Sequence, residues 1–262
     1  MQSSFELLKA NRRILWLPVL SGALSIVLSL AIAGPLLLSL HGSWGFRQYL
    51  VLLIAGAVAS APAIFFNVAI TYAASEQIEG RLIGARDAIR FAWTRRVLVA
   101  QWALFAGTVG ALLRMIENRV GFLSKVIGFL GALAWAVAVF FVIPVLAFEG
   151  LGPIKAIERS SQLLHDNFGT VTRGALRFGS IFVPATLASV GLFIVGALMM
   201  PNDRVLGFVV LAAALASMMV VGAVSGATSA YLRTILYRHA TGKSVPNFGI
   251  DLWSIFRKNP GL

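Results

Sequence analysis

The sequence predicts an all-α polytopic membrane bundle of six transmembrane helices, edged on one side by amphipathic interfacial helices. Three observations carry that prediction. The 262 residues are 58% apolar and only 12% charged, with a mean hydropathy of +0.86, which lies far from globular composition. Six stretches approach or exceed the ~18 nearly uncharged residues that a bilayer crossing needs. The 22 Lys and Arg outnumber 10 acidic residues, for a net charge of +12, yet they sit in connectors between apolar stretches. That placement argues against a basic face for nucleic acid and for a topological signal.

The spans follow in order. The first, residues 14–40, comes after Lys9, Arg12 and Arg13; its 27 residues exceed a signal-peptide apolar region and end in no small-residue cleavage site, so it reads as a mature span. The second covers 48–73, the third 97–113, the fourth 126–148, the fifth 178–200 and the sixth 205–236. At 1.5 Å per residue the sixth is about 48 Å long, against a hydrocarbon core of about 30 Å. Its end, from Tyr231 to Tyr237, is therefore expected to protrude. Of the 22 basic residues, 17 fall on the side of the two termini and 5 on the other, which predicts cytoplasmic termini by the positive-inside rule. The whole chain, 1–262, reads as one integral membrane domain.

Interfacial helices are expected at 3–12, 84–95, 153–166 and 248–258. In the first, Ser3 and Glu6 have capping-box spacing. The second has Ala85, Ala88, Ile89, Ala92 and Trp93 on one face, opposite Arg86, Asp87, Arg90 and Thr94. In the third, Pro153 suits a first helical turn, and Ile154, Ile157, Ser161 and Leu164 oppose Lys155, Glu158, Arg159 and Gln162. The fourth carries Leu252, Trp253 and Phe256. Such helices suit the headgroup plane. Their alternation with hairpins suggests three repeats of surface helix plus hairpin: Leu17-Pro18-Val19 parallels Val183-Pro184-Ala185, and Phe65-Phe66 parallels Phe140-Phe141, each Phe pair preceding Glu76 or Glu149 and then a glycine.

Several stretches together resemble a known family. They are Asn11 to Pro18, Phe65-Phe66-Asn67-Val68-Ala69, Trp102 to Gly110, and above all Trp135 through Phe140-Phe141-Val142-Ile143-Pro144-Val145-Leu146 and Glu149-Gly150 to Ile157-Glu158-Arg159-Ser160. They resemble an uncharacterised family of prokaryotic six-span membrane proteins known only as a domain of unknown function. More distantly, the chain is similar to the membrane-domain portion of glycerophosphodiester phosphodiesterases, a segment that is not itself the hydrolase. The resemblance implies six spans in a bacterial or archaeal cytoplasmic (inner) membrane, and it carries over no catalytic residue.

Polar groups inside spans are the first functional candidates because hydrocarbon penalises them. Asn67, Thr71, Gln101, Thr108 and Ser225 are the notable ones, and none is charged. Asn67 and Gln101 are candidates for a polar solute path, or else for interhelical hydrogen bonds of about 1 kcal/mol. No span offers the midplane acid or base that a coupled carrier uses. Gly222 and Gly226, continued by Ala230, form a small-residue stripe suited to close helix packing, within the chain or between copies, and Gly128 with Ala132 is expected to act similarly. Arg86, Arg90, Arg95, Arg96, Arg159 and Arg173 are candidates for contact with lipid headgroups, each contributing about 1 kcal/mol near an anionic surface.

The chain has no cysteine, and no histidine or carboxylate spacing signals a metal, cofactor or nucleophile. The expectation is a non-enzymatic protein without cofactor that organises lipid or docks a membrane partner at the cytoplasmic leaflet. Its partners would be membrane lipids, with a homo-oligomer or a membrane protein as further partner and no nucleic acid. The alternative is a passive channel or small-solute transporter.

Overall fold

The computed structural model describes residues 16–39, 46–117 and 121–243. Its helices run α1 (Trp16–Ser39), α2 (Phe46–Ile78), α3 (Ala85–Thr94), α4 (Arg96–Glu117), α5 (Gly121–Ala138), α6 (Val142–Phe148), α7 (Pro153–Asp166), α8 (Phe168–Met199) and α9 (Arg204–Ala240). No strand occurs among the described residues. Five segments are long and apolar enough to cross a membrane: Leu53–Ile78, Arg96–Leu113, Gly128–Phe148, Phe168–Met199 and Arg204–Ala240. This is a membrane protein. The shorter apolar stretch Trp16–Ile32 lies in α1. The surface helices expected at 3–12 and 248–258 lie outside the described residues.

The packed core sits at one end of the bundle, where α2, α6 and α9 finish and α4 and α8 begin. There Leu17, Phe66, Val68, Ala69, Ala88, Ala92, Ala147 and Tyr231 form one buried cluster. Trp102, Phe141, Val145, Ala156, Leu163 and Tyr237 form a second. The short helices α3 and α7 close this end. Both start after an extended glycine, Gly84 or Gly152, and α7 has Pro153 in its first turn, where a missing N–H costs nothing. Their apolar faces are spent on the protein's own core. In α3 that face is Ala88 and Ala92, as expected, while Trp93 turns outward. In α7 the buried face is Ala156, Ser160, Leu163 and Leu164, and Ile154 is 72% exposed. The expected stripe of Ile154, Ile157, Ser161 and Leu164 is thus rotated, because the small side chains of Ala156 and Ser160 are the ones that let α7 approach its neighbours.

The segment Gly128–Phe148 is not one continuous helix. Pro144 has no N–H and its ring conflicts with the carbonyl four residues earlier, so the helix breaks at residues 139–141. Phe140 N–H bonds Val137 O in a tighter turn at 3.2 Å. The displaced Phe141 N–H donates instead to Ser160 Oγ of α7 at 2.9 Å, so the break is satisfied by protein, as a nonhelical segment at membrane depth requires.

Each hairpin that returns to the packed end stops at a left-handed glycine: Gly80 (φ 83°) after α2, Gly150 (φ 67°) after α6 and Gly242 (φ 68°) after α9. A side chain with Cβ is strained there. Arg81 and Lys243, the residues after Gly80 and Gly242, reach back to Glu76 O and Arg238 O, each at 2.9 Å. The Phe65–Phe66 and Phe140–Phe141 rings meet edge to face at 89° and 85°, so the two Phe pairs share local geometry as well as residue type.

At the other end α8 and α9 form a long hairpin. Its turn is closed by Asp203, whose carboxylate accepts from Val205 N and Leu206 N, both at 3.0 Å, as a helix N-cap. Near it the backbones nearly touch. A Cβ added at Gly207 would lie 2.9 Å from Met200 N, and one at Gly196 would lie 2.9 Å from Leu211 N. Two turns deeper, Ser189 and Ser217 hydroxyls join the helices at 2.7 Å. Much of the hairpin's outer surface, including Leu187, Leu198, Val205, Phe208 and Val220, is exposed, which in a bilayer is lipid-facing.

Candidate functional site

Polarity concentrates at the packed end, in three linked clusters. In the last turns of α9, where the helix outruns a bilayer crossing, Tyr231, Thr234, Ile235, Leu236, Tyr237 and Arg238 are all buried against protein. The extra length is covered by the ends of α2 and α6 and by α7, so the apolar excess meets protein rather than water. In the first cluster, Tyr231 OH donates to Gln77 Oε1 at 2.7 Å. In the second, Arg238 Nη1 donates to Ser75 Oγ at 2.9 Å and to Glu79 Oε1 at 2.6 Å, while Arg81 pairs with Glu76 at 2.6 Å and also with Glu79. In the third, Glu149 accepts from Tyr237 OH at 2.8 Å and from Arg159 Nε at 3.2 Å. The effect is to tie α9 to the ends of both earlier returning hairpins.

Electrostatics follow from this geometry. The Arg238 guanidinium holds the Glu79 carboxyl below its ordinary value of 4.5; burial works the other way, and Arg81 adds to the lowering. The two carboxylates beside Arg81 raise its already high value.

The six arginines expected at headgroups divide into two groups. Arg95 is built into the fold: its Nε donates to Ala147 O at 3.1 Å, and a Cβ at Gly150 would lie 2.9 Å from its Nη1. Arg159 is held by Glu149. Arg86, Arg90, Arg96 and Arg173 are exposed, with Arg96 donating to Trp93 O at 3.3 Å and lying over the Trp93 ring. The outward Arg86, Arg90, Arg96 and Trp93 thus make one basic and aromatic rim along α3 and the start of α4.

Asn67 and Gln101, the two candidates for a polar path, lie on α2 and α4. Asn67 Nδ2 donates to Ala63 O of its own helix at 2.8 Å, and Gln101 is exposed beside the buried Trp102 and Ala103. Thr108, Thr186, Ser225, Thr228 and Thr234 likewise bond carbonyls of their own helices. Of the two kinds of packing open to Gly222 and Gly226, the described residues do not make the intrachain one, since a Cβ at either glycine meets nothing within 4 Å. Ala230 is in the core, Gly128 is buried and Ala132 is exposed. Close approach occurs instead at Gly196 and Gly207, and milder contact at Gly107 against Ala57 and Gly131 against Leu113. Sequence reasoning missed Ser75, Gln77, Ser160 and Arg238; the four polar residues just past the second span, Ser75, Glu76, Gln77 and Glu79, were the available signal for the first two.

Residues 46–245 match the model of a family of unknown function (DUF6159). No curated protein matches the chain, and no solved structure does.

Proposed function

Starting from the premise that the chain belongs to this family of unknown function, DUF6159, we propose that it is a non-enzymatic six-span protein of the prokaryotic cytoplasmic membrane. It organises phospholipid, or seats a membrane partner, at the cytoplasmic leaflet. In this reading α1 supplies the sixth crossing and both termini face the cytoplasm. The packed end then lies at the inner headgroup layer, and three ancestral copies of surface helix plus hairpin underlie the bundle. The observation that carries the reading is the division of labour among polar groups. Inside the spans, Asn67, Thr108 and Thr228 bond their own helices and Ser189 and Ser217 bond each other, which leaves lipid-facing apolar surface. At one end, exposed Arg86, Arg90 and Arg96 line a rim beside Trp93, the composition that headgroups attract.

Purification in mild detergent is expected to retain phospholipid. Replacing Arg86, Arg90 and Arg96 together by Gln is expected to lower the retained phosphorus by several-fold, since each charge contributes about 1 kcal/mol. Proteoliposomes are expected to pass small solutes no faster than protein-free vesicles. A flux that Asn67→Leu or Gln101→Leu abolishes would establish the channel reading instead. Orientation has its own test. The absence of native cysteine makes single-site labelling clean: Asn202→Cys should react with an impermeant maleimide on intact cells, and Gln162→Cys, on the exposed face of α7, only after permeabilisation. The reverse pattern would invert the topology.

A further inference from the structure

Arg233 stands apart from the clusters just described. It lies on α9 between the anchored Tyr231 and Tyr237, and its guanidinium carbon sits 5.4 Å from the Phe140 ring centroid, at the helix break. Its Nε is buried without a hydrogen-bond partner. Three carboxylates of this end are engaged elsewhere, Glu76 and Glu79 with Arg81 and Arg238 and Glu149 with Arg159 and Tyr237, and Asp87, Glu158 and Asp166 are exposed on α3 and α7. Among the described residues, then, Arg233 has a ring face and no anion. A guanidinium carries five N–H donors in a planar fork and remains charged in proteins. Arg233 is partly buried, and holding its Nε away from water without a counter-charge is costly, for which a cation–π contact returns only about 1–2 kcal/mol.

We infer that Arg233, braced on Phe140, is the binding site for a phosphate-bearing anion. The fork matches two phosphate oxygens at once. Seven residues separate Arg233 from Ala240, the last residue of α9, or about 10 Å along the axis. In the membrane placement proposed above, on which this site rests for its setting, that depth is the boundary between headgroups and acyl chains. Gly226 and Gly222 lie seven and eleven residues before Arg233, on the same helical face, and a Cβ at either meets no atom within 4 Å. A lipid whose phosphate is held at Arg233 would have open space there for an acyl chain. The phosphate chemistry is shared by a phospholipid and by free inorganic phosphate, and the open face favours the lipid.

The test is thermal unfolding of the full chain in a neutral detergent, titrated separately with dioctanoyl phosphatidylglycerol, dioctanoylglycerol and inorganic phosphate. Phosphatidylglycerol is expected to raise the midpoint of the wild type, and its apparent affinity to fall about tenfold or more in Arg233→Gln, the scale of a lost charge-assisted contact. Dioctanoylglycerol, with the same tails and no phosphate, is expected to do neither. An equal response to inorganic phosphate assigns the site to the free anion; no response to it assigns the site to lipid. An unchanged phosphatidylglycerol response in Arg233→Gln, or an equal response to dioctanoylglycerol, overturns the inference. If Arg233→Gln does not fold, Arg233→Lys keeps the charge but not the fork, and an undiminished affinity there overturns it equally. Loss of retained phospholipid in the Arg86, Arg90 and Arg96 variant, with Arg233→Gln unaffected, removes this site and leaves the lipid reading standing.

Discussion

Gly207→Val should open the α8–α9 hairpin and destabilise the protein by about 3 kcal/mol or more, the upper end of what overpacking costs. The reason is that the added atoms meet backbone. A Cβ at Gly207 lies 2.9 Å from Met200 N, 3.0 Å from Met200 Cα and 3.2 Å from Gly196 O. A flexible side chain could move aside, but these atoms can shift only by moving a helix. The same displacement would part the Ser189 and Ser217 hydroxyls. Gly222→Ala and Gly226→Ala on the same helix provide the contrast. Nothing lies within 4 Å of either new Cβ, and alanine is the better helix former, so each should be neutral or slightly stabilising. Midpoints in detergent give the comparison. Should the Gly222 and Gly226 variants fail and Gly207→Val survive, the stripe would be packing against a second copy of the chain.

Arg238→Met should cost about 2–3 kcal/mol, as loss of one partner from a largely buried ion pair does when the other partner still reaches water. Arg238 is 6% exposed, and its removal leaves Ser75 Oγ without its donor and Glu79 with Arg81 alone. The double variant with Glu79→Gln should lose less than the sum of the two single losses, because both remove one interaction. A pH dependence follows with a definite sign. The folded Glu79 carboxyl titrates below its ordinary 4.5, so the ionised form is favoured by folding. Its contribution is present above that ordinary value and disappears as pH falls through the lowered one. Wild-type midpoints should drop in that acid window, and the drop should be smaller in Arg238→Met. An equal drop in both would mean that the acid slope arises elsewhere.

What the sequence made legible, and what it concealed, can be read from particular elements. The helices expected at 84–95 and 153–166 are found at Ala85–Thr94 and Pro153–Asp166, because Gly84, Gly152 and Pro153 act locally and punctuate the chain whatever surrounds them. The face of α7 was not legible in the same way, since amphipathic spacing marks two sides of a helix without saying whether protein or membrane meets the apolar one. Pro144 is plain in the sequence, yet its effect falls three residues upstream, where Phe141 N–H needs Ser160. Small residues four apart drew attention to Gly222 and Gly226, while the closest backbones meet at Gly196 and Gly207, a pairing contributed by two helices and invisible to a pattern on one. Arg86, Arg90 and Arg96 face outward where the sequence put them, but Arg95 and Arg159 are taken up internally by partners 52 and 10 residues away. The distant likeness to the membrane portion of glycerophosphodiester phosphodiesterases has no counterpart among the matches found.

The bonds from Tyr231 to Gln77 and from Arg238 to Ser75 span 154 and 163 residues. A chain emerging from the ribosome therefore completes α2 long before the residues that satisfy its last turn exist. At about 5–20 residues per second, that interval is on the order of 10 to 30 seconds. During it, Ser75 stands without Arg238 and Gln77 without Tyr231. Biogenesis thus acquires a late checkpoint. A nascent protein stalled or cleaved before Tyr231 could contain four complete crossings and the α8–α9 turn, yet would present an unfinished polar surface by which quality-control proteases could distinguish it from the finished bundle.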